Sequence, residues 1–319
     1  MPAVRTLDRH PSLARGNGAA ATEAGAWGAL ISVLPPARAS DFADFTYPAF
    51  RRHLDGSSGF RCVHVGAELG GLPCGLAFGL AGESSFEVAS VVVREDLADG
   101  ALEEALLRRL VAEFAAHGLM QGAFHPSYPV GDNRLPALLR RCGWQGPVLR
   151  QVTAASTAER LLALPFAMLG EIRPGYDLLP WHRLPTAARA GIDAALAGLP
   201  ATVRDDIAPD RYAARAVPDL SFVLMRGAEA IGWHLPERLD DSTLRWTCSV
   251  VLPGHWAAAA VLQLWVHALR QQQAMGIPRV IWGTPMAHPN MARFILRRLR
   301  PALEHLRLGT TFLYGPTNS

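Results

Sequence analysis

Apolar and polar positions fall into blocks that predict one order of strands and helices used twice. Leu30 to Leu34 is an apolar run closed by Pro35 and Pro36 and predicts a strand. A helical stretch from Ala39 to Leu54 follows, with Asp41 as its cap. Arg61 to Val65 and Leu76 to Leu80 flank the segment Gly66 to Gly71, which predicts a hairpin. Phe86 to Val93 is β-branched and apolar toward its end and predicts a longer strand. From Gly100 to His117 the period changes to that of an amphipathic helix, with Leu102, Leu106, Leu110 and Phe114 on one face. Glu104 with Arg108, and Arg109 with Glu113, sit four apart on the solvated side of that helix. A short strand, Leu119 to Phe124, leads through a Pro-Ser-Tyr-Pro loop to a helix ending near Gly143.

The second half follows the same order. A hairpin turn at Gly227-Ala228-Glu229 repeats Gly66-Ala67-Glu68. Strand Leu244 to Val251 runs into a helix from Trp256 to Met275, then a strand from Arg279 to Gly283 and a helix from Met291 to Arg300. Val93 and Val251 differ by 158, as do Gly118 and Gly276, Asp132 and Asn290, and Arg140 and Arg298. The hairpin glycines Gly66 and Gly227 differ by 161, so the spacing shifts between hairpin and strand. An ordered set of matches at one spacing points to a duplicated unit.

Composition narrows the class. A chain of 319 residues is twice the common domain size, and with half its residues hydrophobic and 18% charged it has material for two cores. The apolar stretches Val88 to Val93 and Ala257 to Val266 are too short to span a bilayer, and the N-terminus carries no secretory pattern, so no membrane partner is expected. Cys62, Cys74, Cys142 and Cys248 are scattered without a C-x-x-C pair, which reads as reduced thiols in a cytoplasmic protein with no metal site. The net charge is only +3 and every basic residue is arginine, which argues against nucleic acid as a partner and excludes lysine Schiff-base chemistry. Nothing here speaks against an oligomer.

The order strand, helix, hairpin, long strand, helix, strand, helix, strand resembles the GNAT superfamily of acyl-CoA-dependent N-acyltransferases. The residues that carry the resemblance are Val91-Val92-Val93-Arg94 running to Leu106-Leu107, and Asp132-Asn133-Arg134 running to Cys142-Gly143-Trp144. In the second half they are Val250-Val251-Leu252-Pro253 and His288-Pro289-Asn290-Met291-Ala292. The resemblance implies an α/β fold with a mixed sheet, as two tandem GNAT-like domains at 28–160 and 161–319 behind a poorly ordered extension at 1–27. It also implies acetyl-CoA or another acyl-CoA as the donor and a small-molecule amine as the acceptor. Two other readings stand beside it: a non-catalytic binding or partner protein of the same fold, and acyl transfer from a different donor such as an aminoacyl-tRNA.

In such proteins the donor's pyrophosphate sits on a glycine-rich turn at a helix N-terminus, where backbone N–H groups and the helix dipole favour an anion. Neither half keeps the family pattern. The three key positions are Ala98, Ala101 and Glu103 in the first half and Trp256, Ala259 and Val261 in the second. The first turn carries Glu95, Asp96, Asp99, Glu103 and Glu104, and two like charges about 6 Å apart repel by about 3 kcal/mol at an effective dielectric near 20. The second is free of carboxylates, so the resemblance places the donor there, against Val251, Pro253, Gly254, His255, Trp256, Ala257, Ala258 and Asn290.

Acyl transfer to an amine needs a base for the ammonium and an acid for the departing thiolate. His288, in the loop before the last long helix, titrates in the right range, and His234 and Glu237 follow the second hairpin. Glu87 lies six residues before Val93, where some relatives of this family place a base; its counterpart in the second half is Arg245. The tyrosine acid common in the family is replaced by Leu139 and Leu296 at about that place.

Overall fold

The computed structural model describes residues 23–24, 26–252, 255 and 260–315. It contains two compact units: one holds the chain up to Leu149 and again from Gly309 onward, the other holds Arg150–Leu308. The sequence alone puts the division at 160/161; the contacts put it at 149/150 and assign the C-terminal segment to the first unit. Of the extension at 1–27 only the last few residues are described, and Glu23–Ala24 (β1) pairs with Ile31 and Leu30.

The first unit's sheet runs from β1 through β2 (Leu30–Val33), β3 (Arg61–Leu69), β4 (Leu72–Ala81) and β5 (Phe86–Val93) to β6 (Gly122–Phe124). Neighbours are antiparallel except β5 and β6, which are parallel. Beyond β6 the sheet gains the last strand of the whole chain, with Phe312 opposite Phe124 and Tyr314 opposite Gly122. The short strand β7 (Ser127–Pro129) follows β6. Helix Ala101–Ala116 buries Leu102, Leu106, Leu107, Leu110, Val111 and Phe114 against this sheet, and its outer face carries the Glu104–Arg108 and Arg109–Glu113 ion pairs, each at 2.8 Å.

The second unit repeats the order. β9 (Tyr176–Pro180), β10 (Phe222–Arg226), β11 (Glu229–Asp240) and β12 (Thr243–Val251) form an antiparallel run, and β12 pairs in parallel with β13 (Arg279–Pro285). The place taken in the first unit by the chain's last strand, β14 (His305–Tyr314), is taken here by β8 (Gln145–Thr157), whose Gln151–Thr157 segment lies antiparallel to β13. Each sheet is therefore completed by the strand that follows the other unit's last helix.

The register shows how close the copies remain. The hairpin turns are Gly70-Gly71 and Gly227-Ala228, and Leu69↔Leu72 matches Arg226↔Glu229 at a spacing of 157. Both hairpins carry a bulge at the same place, after Ala67 and after Leu224. This corrects the equivalence of Gly66 with Gly227. Gly66 lies inside β3, and a Cβ there would meet Leu34 Cδ1 at 2.6 Å and the Phe42 ring at 2.8 Å. Glycine is needed at that position for close packing, not for a turn.

Two expected helices differ in detail. Residues 39–54 do not form one helix: a single turn, Pro36–Ala39, leads into 3-10 stretches at Ser40–Phe45 and Pro48–His53. Pro48 has no N–H and holds Tyr47 extended at φ −68°, ψ 144°, so the helix cannot run through. The last long helix begins at Pro289–Phe294 and then widens into a π-helical turn, Ile295–Leu299. In the second unit, helix Thr186–Ala197 buries Ile192 and Leu196 on one side of the sheet with Trp233 and Cys248; helix Ala260–Ala274 covers the other side with Trp246, Trp282 and Val251.

Phe312 is fully buried although it lies at the far end of the chain from the unit it completes. Phe312→Ala is expected to cost about 3–5 kcal/mol of folding stability, read by denaturant unfolding. An exposed substitution on the same strand, Leu313→Ala, should shift the midpoint far less, since Leu313 is 51% exposed.

Candidate functional site: a wedge between parallel strands

In the second unit the pairing of β12 with β13 runs from Thr243↔Arg279 to Trp246↔Trp282 and stops. Both strands continue, to Val251 and Pro285, as the arms of a V. The cause is local. Against β11 the register jumps from Pro236↔Trp246 to Leu235↔Cys248, which leaves Thr247 as an extra, bulged residue. A bulge bends its strand and reverses the alternation of its side chains. Trp246 thus faces helix Ala260–Ala274, Cys248 faces the opposite side beside Trp233, and Ser249 returns to the first face, where its Oγ accepts a hydrogen bond from Trp265 Nε1 at 2.8 Å.

The first unit has the same wedge at the same spacing. β5 and β6 pair from Phe86↔Gly122 to Val88↔Phe124, where β6 ends while β5 continues to Val93, and the bulged residue is Ala89. Ala89 and Thr247 differ by 158, as do Val88 and Trp246.

The two wedges differ at their mouths. In the first unit the start of helix Ala101–Ala116 is occupied by the chain's own carboxylates: Gly100 N–H donates to Glu103 Oε2 at 3.1 Å and Ala101 N–H to Asp99 Oδ1 at 2.9 Å. Arg94, at the strand end, is held by Asp96 at 2.6 Å. Two of the N–H groups at this helix start are thereby engaged within the chain, beside several carboxylates. In the second unit, Val251 pairs with Gly232 and Leu252 N–H donates to Ile231 O at 2.8 Å, the contact that Arg94 makes with Cys74 in the first. Pro253, Gly254, Trp256, Ala257 and Ala258 lie outside the described residues. His255 is described: its imidazole lies 3.9 Å from the Glu229 carboxylate. The sequence from Val251 to Gln263 contains no acidic residue.

The four residues singled out for acid–base work lie on β5, β11 and the loop after β13. His288 follows the β13 arm and occupies the N-cap position of helix Pro289–Phe294, though its side chain does not cap. Its side chain is 25% exposed, and Nε2 lies 3.9 Å from Asp206 on helix Ala201–Ile207. Asp206 carries no sequence signal of its own; only the fold brings it to His288. Asn290, exposed near the start of the same short helix, accepts from Arg293 at 3.5 Å.

His234 is 1% exposed on β11, stacked on Phe222 and edge-on to Trp246 at 5.0 Å. Burial, helped by His267, pushes its pKa down to about 3, so it is neutral at ordinary pH. Glu237 lies at the closed end of the wedge, opposite Arg245, with Arg215 at 3.5 Å and Arg245 at 3.9 Å from its carboxylate. Glu87 occupies the closed end of the first unit's wedge, exposed on β5 opposite Leu80. Six residues of strand, roughly 20 Å, separate each of these positions from the strand end at Val251 or Val93.

No protein-family model matches the chain, and no curated protein matches it in sequence. Solved structures do match. A tandem GNAT protein from the clavulanic acid biosynthesis pathway is 14% identical with a TM-score of 0.53, over 90% of this chain and 99% of that one. A GCN5-related N-acetyltransferase from Sphaerobacter thermophilus is 15% identical with a TM-score of 0.54, over 90% and 96%. The glucosamine N-acetyltransferase region of a fungal multi-domain GH3 β-N-acetylglucosaminidase is 10% identical with a TM-score of 0.53, over 94% of this chain and 39% of that one. Likeness at such identities is one of fold, and the fold is the tandem GNAT fold, α/β with mixed sheets. Among the described residues no helix is long and apolar enough to cross a membrane, and no group of three or more His, Cys, Asp or Glu is placed to hold a metal ion.

The buried state of His234 has a measurable consequence. With a folded pKa near 3 and an unfolded value of 6.5, the unfolded chain binds one more proton between those limits. Stability from this group is therefore complete above pH 6.5 and falls with pH by about 1.4 kcal/mol per unit. His234→Leu should lose about 2 kcal/mol less than the parent between pH 7 and pH 5, measured by denaturant unfolding at both values.

Proposed function

We propose that the chain is an acyltransferase that moves an acetyl or other acyl group from acyl-CoA to the amine of a small-molecule acceptor, using the second unit's wedge. The observation that carries this reading is the contrast between the two mouths. One scaffold is present twice; the first has its helix start closed by Asp99 and Glu103, and the sequence from Val251 to Gln263 carries no acidic residue. Val251 and the stretch Pro253 to Ala258 would lie along the donor, with Asn290 beside the other arm.

The chemistry assigned to this chain's residues is limited. His288, at the end of the β13 arm, accepts the ammonium proton, with the Asp206 carboxylate 3.9 Å from its Nε2. The freed amine attacks the thioester carbonyl, the C–S bond breaks, and the CoA thiolate leaves and takes up a proton. Trp246 and Trp282 stand at the closed end with ring centroids 6.0 Å apart and favour a short acyl group.

Calorimetric titration with acetyl-CoA is expected to give micromolar binding at one site per chain, lost in Ala257→Glu and retained in Asp99→Asn. Two sites per chain, or no heat with either acetyl-CoA or CoA, would reject the reading. Once an acceptor is in hand, His288→Ala should lower kcat by about 10²–10⁴ with donor binding unchanged, and Asp206→Asn should lower it less.

A further inference from the structure

The two wedges also differ in the side chains that follow the last paired rung. Beyond Trp246↔Trp282, the first residue of β12 on the side of helix Ala260–Ala274 is Ser249, because Thr247 is bulged and Cys248 faces the other way. On β13 the first such residue is Thr284, which lies opposite Val152 of the same core. Each arm thus opens, on one face, with a hydroxyl. The corresponding positions of the first unit, 158 residues earlier, are Val91 and Pro126, whose side chains have no proton to donate.

Both hydroxyls of the second unit have a proton to give. Trp265 Nε1–H donates to Ser249 Oγ at 2.8 Å, and an indole only donates, so the serine's own proton is directed elsewhere. His234 stands opposite Ser249 on β11, and its Nδ1 is unpartnered. Ser249 is half-buried. Thr284 is 6% exposed, and among the described residues its hydroxyl has no hydrogen-bond partner.

The surroundings select what these donors take. Trp246, Trp265 and Trp282 lie with ring centroids 5.5 to 6.3 Å apart and make an apolar floor beside them. The chain from Ser242 to Leu303, which supplies both arms, contains no acidic residue, so a cation finds no partner on it. Two neutral donors beside indole rings suit a neutral oxygen acceptor, and in a low dielectric they hold a charge that develops on it more strongly than water would.

We propose that the Ser249 and Thr284 hydroxyls bind the carbonyl oxygen of the donor's thioester and stabilise the oxyanion that forms on it. The inference rests on the acyl-CoA reading given above. As the amine nitrogen bonds to the carbonyl carbon, the C=O π electrons move onto that oxygen, and the hydroxyls hold it without losing their protons. The carbonyl re-forms as the C–S bond breaks; the ammonium proton goes to His288, and the thiolate takes a proton from solvent.

The test is calorimetric titration of the full chain with acetyl-CoA and with S-ethyl-CoA, a thioether that lacks the carbonyl oxygen. The parent should bind acetyl-CoA about tenfold more tightly, the worth of one good hydrogen bond. The double variant Ser249→Ala, Thr284→Val should bind the two equally, with its affinity for S-ethyl-CoA unchanged. Ser249→Thr, which keeps the hydroxyl, should keep the preference. With an acceptor known, Ser249→Ala should lower kcat by about 10²–10³. Binding of neither ligand by the parent rejects the acyl-CoA reading, and this inference with it. Equal binding of both leaves that reading standing and overturns this inference alone. So does a preference that survives in the double variant, or an unchanged kcat in Ser249→Ala.

Discussion

A parallel ladder needs evenly spaced donors and acceptors on both strands, and one extra residue at Thr247 ends that match. Nearly everything distinctive about the second unit follows from this bulge. It separates the arms beyond Trp246 and Trp282, and it reverses the face on which Cys248 and Ser249 lie. It also lets Val251 rejoin the core under helix Ala260–Ala274. The bulged strand is not left weak, because β11 pairs with it on both sides of the break, from Arg238↔Leu244 to Gly232↔Val251. The wedge is thus an opening in a sheet that stays continuous on its other side. The first unit keeps the same solution at Ala89, so the duplication carried the strain and its support together.

What differs between the copies is electrostatic. A helix start offers unpaired N–H groups and a partial positive charge, and only one partner can take each amide. In the first unit Asp99 and Glu103 are those partners, a local cap worth about 0.5–2 kcal/mol that an external anion would have to displace. The neighbouring Glu104 is tied to Arg108 and Arg141, which holds its pKa down and keeps it charged. A few acidic residues in one turn thus seal the first unit's corner from within the chain.

Much of the scaffold was legible in the sequence because its signals are local. The leucine spacing of 101–116, the β-branched run to Val93 and the recurrence at 158 residues all describe short segments, and the structure keeps them. What sequence could not show is non-local. The sequence does not say which sheet β8 and β14 complete, and their exchange places the boundary between the units at 149/150. Gly66 looked like a turn because glycine serves turns and close contacts equally, and only Leu34 and Phe42 decide between them. Pro48 is a local signal against one helix over 39–54, and the structure follows it. Asp206 was invisible for a different reason: a carboxylate on a short exposed helix has no pattern until a histidine from a distant loop is placed 3.9 Å away.

Two histidines in the second unit show how fold sorts residues of one type. His234 and His288 carry the same imidazole, with the same ordinary pKa near 6.5. On β11 the ring is enclosed by Phe222 and Trp246, and desolvation removes its ability to hold a proton near neutral pH. At the end of β13 the ring stays partly exposed, and its neighbour at 3.9 Å is the Asp206 carboxylate. A base must gain a proton and pass it on, which requires a stable charged form and a route to solvent. Burial denies His234 both. Strand interior against strand end is therefore what separates the surroundings of the two rings.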